Sequence, residues 1–371
     1  MLKIAGIINL HTAIDISPLT DRRSIASTGF LGRYGFIDFT LSNLTNSGIT
    51  EVGVLIKNKP RSMFRHLGSG GKQWSINTKV GGLFMMYNER YANSPMYNTD
   101  VDGLLENHWF LKTSKADYVV ICPVHMLCKI DYSKVVENHI KTGADVTLVY
   151  KDIEDGRDSF IESFYVNVSK EGRIVSIKDN KGSEEKRHIS LETYVMKKDF
   201  LLDFIEKASK LSSFFTIRDM LSFSVSKINI HGYEYDGYLR CFDSMKHYME
   251  YSLELLDVEK SKELFDPNWP VYTRSYDTPP TQYGFNAKVR NSLIANGSSI
   301  DGEVTNSIIG RDVIVPNDCV IDHCVILSHV EIAPKTHLQY VVVDKEASIL
   351  HTSELIGTFE SPYVIKQEDV I

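Results

Sequence analysis

The sequence predicts an α/β domain with a doubly wound, mostly parallel sheet, followed by a left-handed parallel β-helix. Over roughly the first 260 residues, short β-rich runs alternate with helix-like segments, an order that favours a parallel sheet covered by helices. Further along, aliphatic residues stand six positions apart in succession, at Ile308, Ile314, Val320, Ile326, Ile332 and Leu338. A stride of six fits a triangular coil with three short faces, and it therefore predicts the β-helix.

The elements of the first domain follow from local pattern. KIAGII (3–8) and EVGVLI (51–56) are short apolar runs that predict buried strands. Between them FIDFTLSNLTNSG (36–48) has helical spacing and ends at Gly48. The other predicted elements are a helix over 102–116, a strand over 116–122, a helix over 131–144, a strand over 145–153, a hairpin over 163–179 that turns at Glu171–Gly172, and a helix over 244–257.

The six-residue stride has a competing explanation, a β-sandwich in which the spacing arises by chance. One register held over five successive intervals makes chance the weaker explanation. Ile294 and Ile300 begin the same stride before a slip of two residues. Four prolines between residues 265 and 280 predict a linker ahead of the coil.

Composition restricts the class of protein. The chain has 371 residues, 43% of them hydrophobic and 24% charged, with a net charge of -7, which argues against general nucleic-acid binding. Its five cysteines form no CxxC pair, a pattern that favours reduced thiols over a disulfide framework. No signal peptide and no stretch near the roughly 20 apolar residues of a membrane span can be recognised. We expect a cytoplasmic protein with no membrane or nucleic-acid partner.

Several stretches carry a resemblance to a known family: FIDFTLSNLTNSGI (36–49), YVVICPVHMLCKIDY (118–132), NSLIANGSSIDGEVTNSIIG (291–310) and VVVDK (341–345). In this order they resemble the sugar-nucleotide pyrophosphorylases, and most of all the ADP-glucose pyrophosphorylase (glucose-1-phosphate adenylyltransferase) family. The resemblance implies a Rossmann-like nucleotidyltransferase domain with a mixed, mostly parallel sheet over 1–260. It also implies a linker over 261–285 and a hexapeptide left-handed β-helix domain over 286–371.

The family's phosphate loop is altered in this chain. Active members have G-G-x-G-x-R-L-x-x-L-T after the first strand, where glycine N–H groups approach the triphosphate and the arginine neutralises charge. Aligned on Pro18–Thr20, this chain reads LHTAIDI (10–16), with His11 at a glycine position and Asp15 at the arginine position. The lysine of the family's D-R-R-x-K-P-A is Ile25 here. The resemblance therefore implies that no intact catalytic residue remains in this loop.

The family's metal positions are also changed. Its G-D-H aspartate corresponds to His125, and the aspartate of its Y-W-R-D-V-G pattern corresponds to Cys241. Magnesium prefers carboxylate oxygens, so this chain is expected to bind no metal. Zinc held by His125 and Cys241 is the alternative, but two ligands fall short of a normal zinc site.

The sugar-phosphate side keeps only remnants of the family pattern. Lys181, or Asn180 after a shift of one residue, stands where the family lysine contacts glucose 1-phosphate. Glu192 replaces the glycine of the family's S-M-G-I-Y turn and would intrude where a sugar needs close backbone approach. TDVDGLLEN (99–107) retains Asp102 and Asn107, although Asp102 would also suit a helix N-cap.

The loop, lysine and metal positions are changed together, and some bacteria make ADP-glucose with one catalytic and one non-catalytic homologous polypeptide. This chain resembles the second, glycogen-biosynthesis subunit. The resemblance implies a regulatory subunit with little or no activity of its own. It further implies a heterotetramer with a homologous catalytic subunit that carries Mg²⁺, and a small-molecule phosphate effector.

Three other functions stay open on the sequence. An active pyrophosphorylase with altered site residues would need substitute metal ligands, for which Asp100 and Asp102 are the nearby acids. A non-converting nucleotide or sugar-phosphate sensor could use the basic residues Arg22, Arg23 and Arg33. A hexapeptide acyltransferase would need a histidine at a cleft, with candidates at positions 323, 329 and 337.

Overall fold

A computed structural model describes residues 2–12, 14–68, 82–91, 94 and 96–371. The chain divides into two compact units, each with most of its contacts inside itself. The first unit comprises Met1–Ala13, Phe39–Cys241 and Trp269–Tyr272. The second unit comprises Ile14–Asp38, Phe242–Asn268 and Thr273–Ile371.

The helices and the strands that precede residue 270 are as follows. The strands are β1 Ile4–Asn9, β2 Gly29–Phe30, β3 Tyr34–Gly35, β4 Glu51–Ile56, β5 Gly82–Tyr87, β6 Tyr118–Cys122, β7 Met126–Cys128, β8 Val146–Ile153, β9 Phe164–Val168, β10 Ile174–Asp179, β11 Arg187–Lys197, β12 Ile230–Glu234 and β13 Leu239–Cys241. The helices are α1 Phe36–Asn46, α2 Pro60–Leu67, α3 Asp100–Glu106, α4 His108–Thr113, α5 Tyr132–Thr142, α6 Lys198–Leu211, α7 Ile217–Ser224, α8 Met245–Glu254 and α9 Val258–Leu264.

The first unit is built on a mixed sheet in which β1 is central. β1 pairs in parallel with β4 on one side and with β6 on the other, and β5 extends the sheet beyond β4. β11 runs antiparallel to β6 and β8. The residues of β1 after Ile4 are buried, as expected for a parallel strand covered on both faces. The predicted alternation of strands and helices is thus confirmed.

The predicted hairpin over 163–179 is also present. β9 and β10 pair antiparallel, and Gly172 at the turn has a φ of +80°, a conformation that favours glycine. No helix in the described part of the chain is long and apolar enough to cross a lipid bilayer.

The single helix predicted over 102–116 is wrong, because α3 ends and α4 begins around Asn107. The Asn107 side chain donates through Nδ2 to the Gly103 carbonyl at 2.9 Å and to the Tyr87 carbonyl at 3.0 Å. A side chain that caps the carbonyls of its own helix ends that helix. The helical pattern continues on both sides, so the sequence shows no sign of the break.

The second unit contains three stacks of parallel strands, as in a left-handed parallel β-helix. The first stack is β14 Gln282–Tyr283, β17 Ser299–Ile300, β20 Ile314–Val315, β23 Glu331–Ile332 and β26 Ser348–Ile349. The second is β15 Lys288–Arg290, β18 Glu303–Thr305, β21 Val320–Asp322, β24 His337–Gln339 and β27 Glu354–Ile356. The third is β16 Leu293–Ile294, β19 Ile308–Ile309, β22 Val325–Ile326, β25 Val341–Val343 and β28 Tyr363–Ile365.

Each turn of the coil contains fewer residues than three hexapeptides. Ile308 pairs with Val325, seventeen residues further along, and Ser299 pairs with Ile314, fifteen residues further along. Three full hexapeptides would need roughly eighteen residues. A strict stride of six therefore cannot keep every aliphatic side chain inside the coil.

At the first three positions of the stride the residue in the core of the coil is the next one along the chain, namely Ile309, Val315 and Ile321. Ile314 is 51% exposed and Val320 is 38% exposed, whereas their neighbours Val315 and Ile321 are buried in the coil. The β-helix prediction is confirmed, and the structure adds which residues of each strand face its interior.

Candidate functional site

His125 and Cys241, which were predicted to replace the family's metal aspartates, lie close together in the first unit. His125 immediately precedes β7, and β7 pairs antiparallel with β13 so that Met126 is opposite Cys241. His125 is 0% exposed and Cys241 is 1% exposed. The pairing of β7 with β13 thus places the buried imidazole and the buried thiol on adjoining residues of neighbouring strands.

Glu192 brings a carboxylate to this place. Its Oε1 lies 3.7 Å from Nε2 of His125, which is too far for a hydrogen bond. Glu192 lies where the pairing of β11 with β8 shifts between Ser190 and Thr193, and its φ is +49°. A glutamate in this left-handed conformation is strained by about 1–2 kcal/mol, a cost that the family's glycine would not carry.

The buried atoms of this His125–Glu192 pair are poorly satisfied. Among the described residues, neither ring nitrogen of His125 has a hydrogen-bond partner, and Oε2 of Glu192 has none. A buried polar group left unpaired costs about 1–3 kcal/mol. Such a pair is uncommon in a site selected for stability alone.

Cys241 contributes a thiol with a weak contact. Its Sγ lies 3.7 Å from Oγ of Ser163. In the described parts of the chain, no group of three or more His, Cys, Asp or Glu side chains is arranged to hold a metal ion. The zinc site considered for His125 and Cys241 therefore has no third ligand within those residues.

In the part of the phosphate loop that belongs to the first unit, His11 points into the protein. Its Nε2 lies 3.1 Å from Oδ1 of Asn98, and its backbone N–H donates to Oδ1 of Asn9 at 3.0 Å. Burial lowers the pKa of His11 to about 4, so the imidazole is neutral near pH 7. The neutral ring therefore offers no positive charge to a phosphate. The backbone N–H already donates to Asn9, so it is not available as the phosphate donor that the family loop supplies.

In the part of the loop that belongs to the second unit, Asp15 is exposed and accepts a hydrogen bond from the Thr20 hydroxyl. Ile25 is buried and begins a 3₁₀ turn, Ile25–Ser27, which Ser24 caps. An exposed carboxylate and a buried aliphatic side chain thus stand at the positions predicted to replace the family's arginine and lysine.

Asp102 and Asn107, which were predicted to be kept from the family pattern, have structural partners. Thr99 is the N-cap of α3, and its hydroxyl lies 3.1 Å from Oδ2 of Asp102. Asp102 thus supports the cap from inside the helix rather than serving as the cap itself. Burial raises the pKa of Asp102.

Asn180 and Lys181, the two candidates for the family's lysine position, differ in burial. Asn180 is 1% exposed, and its Nδ2 donates to the carbonyls of Gly156 at 2.9 Å and Phe160 at 3.0 Å. Lys181 is exposed, and within the described residues no hydrogen bond or ion pair joins it to the other candidate positions. Asn180 therefore holds the backbone around it, while Lys181 is a surface cation.

Asp100 has a structural role in the first unit that its sequence position did not indicate. It accepts from Nδ2 of Asn9 at 2.8 Å and from the backbone N–H of Ile217, at the start of α7, at 3.0 Å. Burial raises the pKa of Asp100 to about 6. Sequence reasoning missed Asn9, although a polar residue at the carboxyl end of a buried strand is a usual signal of a site.

Comparison with known proteins agrees with the two-part architecture. The nucleotidyl transferase family profile matches residues 15–232, and a profile for the GlmU-like, C-terminal hexapeptide domain matches residues 280–360.

Two glycogen biosynthesis proteins and an enzyme are among the similar relatives. The glycogen biosynthesis protein GlgD of Bacillus subtilis (strain 168) is 31% identical over 358 residues, which cover 95% of this chain and 92% of the relative. The GlgD protein of Geobacillus stearothermophilus is 34% identical over 86% of this chain and 83% of its own length. The glucose-1-phosphate adenylyltransferase of Thermotoga neapolitana is 30% identical over 82% of this chain and 72% of its own length. The chain therefore belongs to the nucleotidyl transferase family, in the group that includes the GlgD glycogen biosynthesis proteins and the glucose-1-phosphate adenylyltransferases.

Proposed function

We propose that this chain is a regulatory subunit of a glucose-1-phosphate adenylyltransferase that makes ADP-glucose for glycogen synthesis, with little or no activity of its own. A homologous catalytic subunit would convert ATP and glucose 1-phosphate to ADP-glucose and pyrophosphate. The names of the GlgD relatives and of the adenylyltransferase relative support this assignment.

The observation that carries the proposal is the His125–Glu192 pair. At the place where the family binds magnesium, this chain has a buried imidazole, a buried thiol at Cys241 and one carboxylate from another strand. Magnesium requires several oxygen ligands in near-octahedral geometry, and imidazole and thiol are poor substitutes. A nucleotidyl transfer that depends on magnesium at this place is therefore disfavoured.

The phosphate loop supports the same conclusion. A transition-state charge in phosphoryl chemistry needs donors and positive charge aimed at the departing phosphate. His11 is buried and neutral, and Asp15 presents negative charge instead of a guanidinium. Losing one such donor typically costs about 2.7–4 kcal/mol of transition-state stabilisation, and here several are replaced together.

The regulatory role requires a partner. We expect a heterotetramer in which the catalytic subunit binds Mg²⁺ and this chain alters its activity or its response to a small-molecule phosphate effector. Such coupling needs different contacts with two states of the partner. A cytoplasmic complex fits the five cysteines, which are all buried as free thiols.

The test is pyrophosphate release from ATP, glucose 1-phosphate and Mg²⁺, measured with this chain alone, with the catalytic homologue alone and with both. We expect no turnover by this chain alone and a changed rate or effector response in the mixture. Serum albumin at the same concentration controls for non-specific stabilisation of the catalytic subunit.

A second mixture locates the chemistry. It combines this chain with a catalytic homologue whose own metal-binding aspartate is replaced, and we expect turnover to disappear. Turnover that persists there, or robust turnover by this chain alone, would overturn the proposal in favour of an active enzyme with altered residues.

A further inference from the structure

The strand β5 lies at an edge of the mixed sheet in the first unit. It pairs in parallel with β4, from Gly82 opposite Glu51 to Tyr87 opposite Ile56, and with no other strand of the described residues. An edge strand presents a row of backbone N–H and C=O groups with which another chain can pair. The sequence of β5 is GLFMMY, which contains no charged residue and no proline.

The two other strands with a single partner strand in this sheet carry charges that β5 lacks. β10 pairs with β9, and β12 pairs with β8. β10 ends in the exposed residues Lys178 and Asp179, and β12 ends in the exposed Glu234. Charged side chains on an edge strand oppose pairing with a second chain. Of these three edges in the described part of the sheet, only that of β5 has no such protection.

The backbone groups of β5 that point away from β4 belong to alternate residues. The N–H of Gly82 donates to the Thr50 carbonyl at 2.9 Å and therefore points toward β4. Successive residues of a strand direct their N–H groups to opposite sides. The N–H groups that point away from β4 are those of Leu83, Met85 and Tyr87. No hydrogen bond to another described residue satisfies any of these three N–H groups.

These outward groups suit antiparallel pairing of β5 with β5 of a second copy. Opposite residues of an antiparallel pair exchange both of their N–H···O bonds at alternate positions. With a twofold axis at Met85, Met85 lies opposite its own counterpart and Leu83 lies opposite Tyr87, so every outward residue meets another outward residue. The Tyr87 carbonyl already accepts a hydrogen bond from Asn107, but its second lone pair can accept another.

The side chains agree with this register. Met85 and Tyr87 lie on one face of β5, where Met85 is half-buried and Tyr87 is 40% exposed. Apolar pairs directly opposite each other stabilise neighbouring strands, and here no like charges would meet. On the other face, the ring of Phe84 lies 5.9 Å from that of Trp109, which is 43% exposed. Apolar surface thus lies open on both faces of this edge.

We propose that β5 pairs with β5 of a second copy of this chain, antiparallel about a twofold axis at Met85, so that two sheets become one continuous sheet. A twofold contact of this kind uses the same surface on both copies, and main-chain hydrogen bonds supply its register.

This pairing involves only copies of this chain, so it stands apart from the proposed function. A monomeric chain can still regulate a catalytic subunit, and a dimer can form without regulating anything. Pyrophosphate release tests the regulatory role, whereas the mass of this chain in solution tests the pairing.

The test is sedimentation velocity over a wide range of protein concentration, with the natural chain, Met85→Lys and Met85→Leu. We expect the natural chain to associate reversibly. Met85→Lys places two like charges opposite each other at the axis and should raise the dissociation constant of this contact about tenfold or more. Met85→Leu keeps the apolar pair and should associate like the natural chain.

Val175→Lys is the matched control, because Val175 is 53% exposed and lies in β10, at another edge of the same sheet. It adds the same charge to the same unit and should leave association unchanged. Thermal unfolding reports the integrity of each variant.

Cross-linking locates the contact if Met85→Lys proves unstable. A short bis-maleimide should join two copies of Met85→Cys and should not join two copies of Val175→Cys. The five natural cysteines are all buried, and the natural chain treated with the same reagent gives the background.

Three results would overturn the proposal. The first is a natural chain that stays monomeric at every concentration. The second is association that Met85→Lys leaves unchanged, which would place the contact between copies elsewhere. The third is a chain that pairs through β5 only with the catalytic homologue, which would make that protein the occupant of the edge.

Discussion

Single residues decide the chemistry of the altered site. His125 and Glu192 are 67 positions apart in the chain, and their side chains meet because β11 lies beside β6 in the sheet. Sequence comparison with the family could predict that each position was changed. It could not predict that the two changes are neighbours.

We expect His125→Asp to destabilise the protein, because it places a second carboxylate in the buried space occupied by Glu192. Like charges in a buried site without a cation raise the free energy of the folded state by about 3 kcal/mol or more. Chemical denaturation in urea at pH 7.5 measures the free energy of unfolding.

His125→Asn is the matched control, since asparagine has the shape of aspartate without the charge. The aspartate variant should be the less stable of the two, and added Mg²⁺ should recover part of its loss. Equal losses in both variants would mean that the carboxylate of Glu192 does not act on position 125.

At the scale of elements, the β-helix shows what periodicity can and cannot predict. A six-residue stride is enough to identify the coil, because few other structures repeat at that interval. It does not assign the interior residues, because a turn of seventeen residues must have one face that is shorter than six residues. The inward position therefore moves from Val320 to Ile321 in β21.

These adjacent residues allow a direct test of the register. Ile321→Ala removes buried methyl groups from the coil interior and should cost about 2–5 kcal/mol. Val320→Ala removes partly exposed methyl groups and should cost less than about 1 kcal/mol. Thermal or urea unfolding of the two variants gives both values, and a larger loss for Val320→Ala would contradict the observed register.

The break at Asn107 belongs to the same scale. The sequence from 102 to 116 keeps helical spacing throughout, and only the carbonyl groups that Asn107 meets end α3. One of them, that of Tyr87, belongs to β5 and is brought there by the sheet. Local pattern contains no information about a partner supplied by a distant strand.

At the scale of the molecule, buried histidines connect stability to pH. Burial lowers the pKa of His11 to about 4 from its ordinary value of 6.5, so the unfolded chain binds more protons than the folded chain between these values. The free energy of unfolding therefore rises with pH between pH 4 and pH 6.5. The contribution of the neutral His11 is lost as the pH falls through this range. His139, with a pKa also lowered to about 4 by burial, adds to the same slope.

We expect the His11 contribution to fall by about 2 kcal/mol between pH 7 and pH 5. Urea denaturation at both pH values measures the decrease in the free energy of unfolding for the natural chain and for His11→Gln. The decrease should be about 2 kcal/mol smaller in His11→Gln. His351→Gln, at an exposed position, should keep the slope of the natural chain. An unchanged slope in His11→Gln would contradict a neutral, buried imidazole at position 11.

The sequence by itself determined the two-part architecture, most strands and helices of the first unit and the coil, and it predicts the replacement of family residues at His11, Asp15, Ile25, His125 and Cys241. These features depend on local periodicity or on the identity of the residue at one position. Only the tertiary structure decided that Glu192 meets His125, which side chains of the coil face inward, and that the apolar strand β5 lies at an edge of the sheet. Each of these depends on contacts between residues far apart in the chain, which strand pairing and coil stacking create and no local pattern encodes.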